Sequence, residues 1–339
     1  MSIVQEDILK LISKLNLDYM FGKKILITGA SGLIGSYFAQ SIQHLCDSKE
    51  SPSKIFLSSK TGFFQFKVNP NVEVIEGDIL KVDLRNGLPM FDIIIHAAGY
   101  AQPDKFLSNP LETLELNTSV TIDLIKKVNH GGRFLFISSS EVYSGLSNLK
   151  FYENQIGTTN TDHPRSSYIE GKRAGEAIVS AAKSHHNVLA LSARLSLAYG
   201  PGTKVGDSRV MNSFIAQAIK FSKIKMLDAG LANRTYCYVS DAVEMCLNIL
   251  NKGTELIYNV GGVSKIKIID LARLIAEITN SDLEVPDGSG LSLSGSPEEV
   301  SLDLTKTTTL LGKTDFITLE NGLRRTIEWQ KSNLYGSFF

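Results

Sequence analysis

The chain has 339 residues, 43% hydrophobic and 21% charged, a balance that suits a globular protein with one full α/β domain and a smaller one beside it. Its 35 basic residues match its 35 acidic ones, so nothing points to a nucleic-acid or membrane surface, although a local basic pocket for phosphate stays open. Cys46, Cys237 and Cys246 are too few and scattered for a disulfide framework or a zinc site, and no metal is expected.

No basic stretch followed by a long apolar core opens the chain, and no apolar run reaches the ~18–20 residues of a membrane span, which together predict a cytoplasmic protein. Residues 3–17 carry Ile8, Leu11, Ile12 and Leu15 at helical spacing behind Glu6 and Asp7, predicting a helix that packs on the main fold. Residues 23–28 then form a short apolar run of the buried parallel-strand kind, ending in Gly29-Ala30-Ser31-Gly32-Leu33-Ile34-Gly35, with a helix predicted over 37–45. Strand, glycine turn and helix is the context of a dinucleotide-binding fingerprint, in which the glycines permit the turn, the approach of a pyrophosphate and close helix packing. A purely structural glycine turn is the plainer alternative.

Further strands are predicted at 54–57, 72–75, 91–96, 133–138 and 188–195, with helices between them, most clearly at 108–129 and 168–186. This alternation predicts an α/β fold with a doubly wound parallel (Rossmann) sheet over 22–200, preceded by a helical extension over 1–21. Beyond Gly200-Pro201-Gly202 the alternation loosens into helices at 210–221, 241–250, 268–278 and 319–330, strands near 234–239 and 256–259, and a Gly/Ser/Pro-rich loop at 286–297. Residues 201–339 read as a smaller mixed α/β part, mainly for substrate.

Three short motifs sit where ligands of such a sheet collect, at the carboxyl ends of strands, and a fourth lies on a helix. Asp78, in Gly77-Asp78-Ile79, is placed to accept from an adenine amino group. Ala97, Ala98 and Gly99 leave room beside the backbone. Ser139, Ser140 and Glu141 bring hydroxyls and a carboxylate to the end of a strand. Tyr168 and Lys172, four apart, share a helix face, and the ammonium is expected to lower the phenol's pKa. Alone, that spacing describes many solvated helix faces.

In this order the motifs resemble extended short-chain dehydrogenases, and more narrowly the NAD-dependent epimerase/dehydratase family acting on nucleotide-diphosphate sugars, from about residue 22 to 330. The resemblance implies Tyr168 as catalytic acid/base, Lys172 as its partner and a ligand of the nicotinamide ribose, Ser139 as the catalytic hydroxyl, and Glu141 as the acid/base of dehydratases and decarboxylases. It implies cofactor contacts at Gly29, Ser31, Gly32, Leu33, Ile34, Gly35, Asp78, Ile79, Ala97, Ala98 and Gly99. Substrate contacts are implied at Ser140, Leu197, Arg209 and Arg234, as is a homodimer built through helices 108–129 and 168–186.

The phrases Tyr168-Ile169-Glu170-Gly171-Lys172-Arg173 and Asp207-Ser208-Arg209-Val210 are most similar to UDP-glucuronate decarboxylases. Two departures count against that activity: the stretch 298–303 is acidic where those enzymes carry an arginine, and Leu197 stands where they carry asparagine. Ser140 replaces the aspartate of thymidine-sugar dehydratases. Ser58-Ser59-Lys60 ends the second strand with hydroxyls and a cation instead of an acid, which favours NADP over NAD among the NAD(P) cofactors. The reading from sequence is therefore a reductase of 4-keto sugar nucleotides. A 4-epimerase, or a decarboxylase or dehydratase using Glu141, is the alternative within the family. A cofactor-binding relative without catalysis is the alternative outside it.

Overall fold

The computed structural model describes residues 1–47, 51–185, 187–286 and 301–336. Its strands are β1 (Lys24–Thr28), β2 (Lys54–Ser59), β3 (Glu73–Glu76), β4 (Phe91–His96), β5 (Val128–Ser139), β6 (Leu189–Leu195), β7 (Ala198–Tyr199), β8 (Lys223–Lys225), β9 (Asn233–Tyr238), β10 (Ile257–Val260), β11 (Ser264–Lys267) and β12 (Asp282–Glu284). Its helices are α1 (Ile3–Ile12), α2 (Leu33–Ile42), α3 (Val82–Gly87), α4 (Pro103–Ser108), α5 (Pro110–Asn117), α6 (Ser119–Ile125), α7 (Ser166–His185), α8 (Val210–Phe221), α9 (Val239–Lys252), α10 (Ile268–Thr279) and α11 (Leu319–Asn333).

Seven strands form one sheet in the order β3-β2-β1-β4-β5-β6-β10, and every pairing is parallel. In β1, Ile25 and Ile27 enter the core on one face and Leu26 the core on the other, all fully buried. Helices cover both faces, which is why the strand reads as an unbroken apolar run. Strand order reverses between β1 and β4, opening a crevice at their carboxyl ends. The segment after residue 200 builds two small sheets, β11-β9-β7 and β12-β8, but returns β10 to the main sheet beside β6 and packs α9 against α2.

Three helix predictions need correction. The first helix stops at Ile12, where the Ser13 hydroxyl donates to the Lys10 carbonyl and competes with helix continuation. The second begins at Leu33, because Gly32 takes the extended N-cap conformation. The helix expected over 108–129 is broken at Asn109 and Thr118. There Thr113, Asn117 and Thr118 turn their side chains back onto carbonyls four residues earlier, and Thr118 leaves helical geometry at φ −116°, ψ −85°. No helix among the described residues is long and apolar enough to cross a membrane.

Candidate active site

The crevice begins at the glycine turn. Gly29 has φ +65°, and a Cβ there would lie 2.7 Å from the Ala97 carbonyl and the Ala98 backbone. A Cβ on Gly35 would lie 2.2 Å from the Gly29 carbonyl. These two positions therefore require glycine, and the N–H groups at the start of α2 face the crevice as anion donors. Ser31, Leu33 and Ile34 are half-buried around the same turn, and Lys204 reaches across to the Ser31 hydroxyl at 3.5 Å.

One buried histidine fixes the turn against β4. His96 Nε2 meets the Leu116 carbonyl at 3.0 Å, so that nitrogen carries the proton and Nδ1 accepts from the Thr28 hydroxyl at 2.7 Å. Thr28 Oγ1 in turn accepts from the Ala98 N–H at 3.2 Å. Burial pushes the His96 pKa down to about 4, which keeps the ring neutral in this network.

At the end of β2, Ser58 and Ser59 are buried, and the Ser59 hydroxyl has no hydrogen-bond partner. Such an orphan suits a ribose hydroxyl, and with the glycine cradle it shows that the crevice fits a dinucleotide. Lys60 does not stand free for a 2′-phosphate, because its ammonium lies 2.6 Å from Asp78. Burial opposes ionisation of Asp78, but the bonds from Lys60 and the Leu80 N–H outweigh it and hold the carboxyl below its usual range. Asp78 thus has partners on both oxygens, and Ile79 sends its side chain into the core.

Tyr168 and Lys172 do share a face of α7. Lys172 is buried, donates to the Ile137 carbonyl at 2.7 Å and lies 4.8 Å over the Phe136 ring and 5.8 Å from the Tyr168 ring centroid. A Cβ on Gly99 would lie 3.7 Å from its ammonium, an ordinary contact distance, which places Gly99 directly beside Lys172. The expectation about acidity is overturned. Burial pushes the Tyr168 phenol up to about 12, against the lowering effect of a hydrogen bond with Ser139. Burial also pulls Lys172 down to about 7, so a four-residue spacing does not by itself make an acidic phenol. Behind the pair, Glu176 receives three bonds from Arg194 and one from the Ser138 hydroxyl, a buried network that fixes β5, β6 and α7 together.

The structure adds a residue that sequence reasoning missed. Glu141, in the short turn Ser140–Tyr143 after β5, is held through both oxygens by Arg165, at 2.6 Å and 3.2 Å. The guanidinium lies 5.1 Å over Phe106, and Phe106 stacks on Tyr168 at 4.7 Å with an interplanar angle of 13°. Arg165 stands three residues before Tyr168, at the entrance to its helix, and that adjacency was the available signal.

Arg209 and Arg234 join this group. Arg209 is forked onto Asp207 and acts on the Tyr168 phenol electrostatically. Arg234, on β9, is pulled down by burial first, with Tyr236 and then the charges of Glu141, Arg165 and Asp228 acting on it. Three guanidiniums therefore lie among the carboxylates of Glu141, Asp207 and Asp228 near the phenol. Ser140 lines a small cleft with Glu141 and Tyr143. Leu197 packs half-buried against the core, and its carbonyl accepts from the Cys237 N–H. Residues 298–300 of the acidic C-terminal stretch lie outside the described residues, whereas Asp303 is paired with Lys150 at 2.7 Å. A cavity of about 250 Å³ between Tyr19, Lys23, Asp92 and Arg133 sits at the opposite, amino end of the strands, away from all of these groups.

Residues 25–261 match the sequence model of the NAD dependent epimerase/dehydratase family. The chain is 30% identical over 319 residues to a UDP-glucuronic acid decarboxylase of Xenopus tropicalis, covering 92% of this chain and 73% of that protein. An epimerase of Methanothermobacter thermautotrophicus superposes with a TM-score of 0.80 at 20% identity, covering 97% of this chain and 96% of the other. The UDP-glucuronic acid 4-epimerase of Bacillus cereus, solved with UDP-glucuronic acid and NAD, gives a TM-score of 0.75 at 21% identity, covering 91% and 99%.

Proposed function

Because the chain belongs to the NAD dependent epimerase/dehydratase family, whose members here are enzymes of nucleotide-sugar chemistry, we propose that it decarboxylates a nucleotide-diphosphate hexuronic acid of the UDP-glucuronate type. The observation that carries this reading is the group of Arg165, Arg209 and Arg234 around Glu141 and Tyr168. The arginine missing from the C-terminal stretch counted against a carboxylate-bearing sugar. Arg165 and Arg234 instead bring cationic charge beside Glu141 from other elements. The likeness to UDP-glucuronic acid decarboxylases, and to a 4-epimerase that binds UDP-glucuronic acid, supports the same substrate class.

In this mechanism the turn of Gly29 to Gly35 and the start of α2 hold the cofactor pyrophosphate, Ser59 meets a ribose hydroxyl, and Lys172 holds the nicotinamide ribose. When bound there, an oxidised nicotinamide would supply a reversible hydride acceptor for C4 and a positive charge that favours phenolate. Tyr168 takes the proton of the 4-hydroxyl and gives it back, while Ser139 holds the same oxygen. The C4 ketone is β to the sugar carboxylate, so carbon dioxide leaves with its bonding pair taken up as an enolate, and Glu141 serves the proton that then adds at C5. We assign NAD, recycled within each turnover: a neighbour solved with NAD supports it, and Asp78 gives the Lys60 cation a partner other than a 2′-phosphate. We carry the homodimer through α5 and α7 as part of this reading, with size-exclusion chromatography and light scattering as its check.

The test is incubation of the purified protein with NAD and UDP-glucuronate. Carbon dioxide and a UDP-pentose should form without net NADH. The second reading, a 4-keto sugar reductase, draws on Arg165 occupying both oxygens of Glu141, since reduction at C4 needs only Tyr168, Ser139 and Lys172. Stoichiometric consumption of NADPH with a 4-keto-6-deoxy sugar nucleotide, and no action on UDP-glucuronate, would establish it instead.

A further inference from the structure

The geometry points to Arg165 as a gate on Glu141: it holds the carboxylate until an anionic group on C5 of the sugar takes the guanidinium over. This rests on the proposed C4 oxidation of a nucleotide sugar and adds what selects the substrate and releases the acid/base.

The resting pair is a strong one, two charge-assisted bonds from one planar fork, and while it stands both oxygens of Glu141 are turned onto the guanidinium. A hexuronate carboxylate has the same two-oxygen shape as the Glu141 head group, so it can accept from the same two N–H donors. A hydroxymethyl group offers neither the charge nor the second acceptor. Release is therefore built into recognition of the acidic sugar and denied to the neutral one.

Two further features favour exchange over simple blockade. Arg165 is anchored at its backbone, where its carbonyl accepts from the Tyr168 and Ile169 N–H groups at 3.1 Å, and its guanidinium rests on Phe106, one ring away from the phenol. A substrate group that captures the fork is thereby held beside Tyr168. The surrounding charges also suit a guest: Arg209 is already committed to Asp207, and Arg234 lies near enough to Glu141 and Arg165 to feel both, so Glu141 keeps a neighbouring cation when Arg165 turns away.

Unmasked, Glu141 moves the proton at C5 of the ketone. In a 4-keto hexuronate the C5–C6 bond breaks, carbon dioxide leaves and Glu141 protonates C5 of the enolate. In a 4-keto sugar without the carboxylate the C5–H bond breaks instead: its proton passes to Glu141 while the electron pair enters the C4 carbonyl as an enolate, and a proton is then returned to C5. The ketone itself forms when hydride leaves C4 for the bound nicotinamide dinucleotide and the hydroxyl proton passes to Tyr168. Arg165 is a positioning residue for that step, and its effect is read by isotope exchange apart from turnover.

The experiment follows deuterium incorporation at C5 in heavy water with NAD, using UDP-glucuronate and UDP-glucose. Wild-type protein should label the product of UDP-glucuronate and leave UDP-glucose unlabelled, even where nicotinamide absorbance shows that C4 is oxidised. Arg165→Gln, with Glu141 permanently unmasked, should gain C5 label in UDP-glucose, roughly tenfold or more over wild type, and should bind UDP-glucuronate and UDP-glucose about equally by calorimetry. Arg165→Lys, which keeps the charge but not the fork, is the second variant should the first not fold, and should label UDP-glucose at an intermediate rate. Glu141→Gln should abolish label throughout. Equal labelling of both sugars by wild type, or variants that oxidise C4 of UDP-glucose without labelling C5, would overturn the gate. If wild type oxidises neither sugar, the proposed reaction falls, and calorimetry alone then decides. Tighter binding of UDP-glucuronate that disappears in Arg165→Gln upholds the recognition half, and equal binding by wild type rejects it.

Discussion

Replacing Lys172 with methionine should stabilise the cofactor-free protein while abolishing turnover, and the stabilisation should fade as pH rises. Lys172 is buried against Phe136 and pulled down to about 7 by burial, the nearby Glu176 carboxylate offsetting only part of that. In the unfolded chain it returns to its ordinary 10.5. Near pH 6 both states carry the proton, and at about 1.4 kcal/mol per pKa unit the fold bears a charging cost of about 5 kcal/mol. Between the two pKa values only the unfolded chain binds the proton, so wild-type stability rises with pH, and by pH 9 the cost is down to about 2 kcal/mol. Methionine fills much the same space and cannot be charged, but leaves the Ile137 carbonyl without its donor, a loss of about 1–3 kcal/mol that does not change with pH. Urea unfolding of both proteins without cofactor should therefore show a gap in the variant's favour that shrinks by about 3 kcal/mol from pH 6 to pH 9. A gap that stays level or widens over that range would refute the buried-ammonium argument, whatever happens to activity.

Gly35→Ala should prevent NADH binding, followed by fluorescence titration, and destabilise the fold by about 1–3 kcal/mol, because its methyl group would sit 2.2 Å from the Gly29 carbonyl in the middle of the turn. His96 should make the protein acid-sensitive. Its folded pKa is below the unfolded value, so its stabilising contribution is complete above pH 6.5 and is lost as pH falls toward 4; His96→Gln should flatten that part of a thermal-melt pH profile. Lys60→Ala should change NADH affinity by no more than about threefold and create no dependence on a 2′-phosphate, since an exposed ion pair is worth about 0–1 kcal/mol; a large loss confined to NADPH would restore the phosphate reading.

The sheet was legible because its strands are sheathed on both sides. A run such as Phe91–His96 has to be apolar through its middle, Ile93 to Ile95, and the structure gives that strand its predicted bounds. The glycine turn was legible for the opposite reason, since Gly29 and Gly35 stand where no side chain fits. The strand Ser264–Lys267 went unseen because it pairs along one edge of a small sheet and carries a single apolar residue between lysines. The Arg165–Glu141 pair was out of reach for another reason. Its partners lie on separate elements, and only the turn after β5 and the entry into α7 bring them together. The acidity of Tyr168 was misread because spacing reports which groups are neighbours, and burial decides which of them keeps its charge.

Asp7 ties the first helix to the last. Its buried carboxylate accepts from the hydroxyls of Tyr37 and Tyr238 and from Arg325 on α11, 318 residues away. Tyr37 belongs to α2, the helix whose amino end faces the crevice. The order of synthesis follows from this. When the glycine turn leaves the ribosome, Asp7 is already made, but the cation that compensates it is nearly 300 residues from being translated. Until then α1 has no settled place, and the cofactor half of the molecule can only be provisionally assembled. A nascent chain in which α1 is made and α11 is not should therefore be clipped by proteases within α1, and the arrival of α11 should protect it.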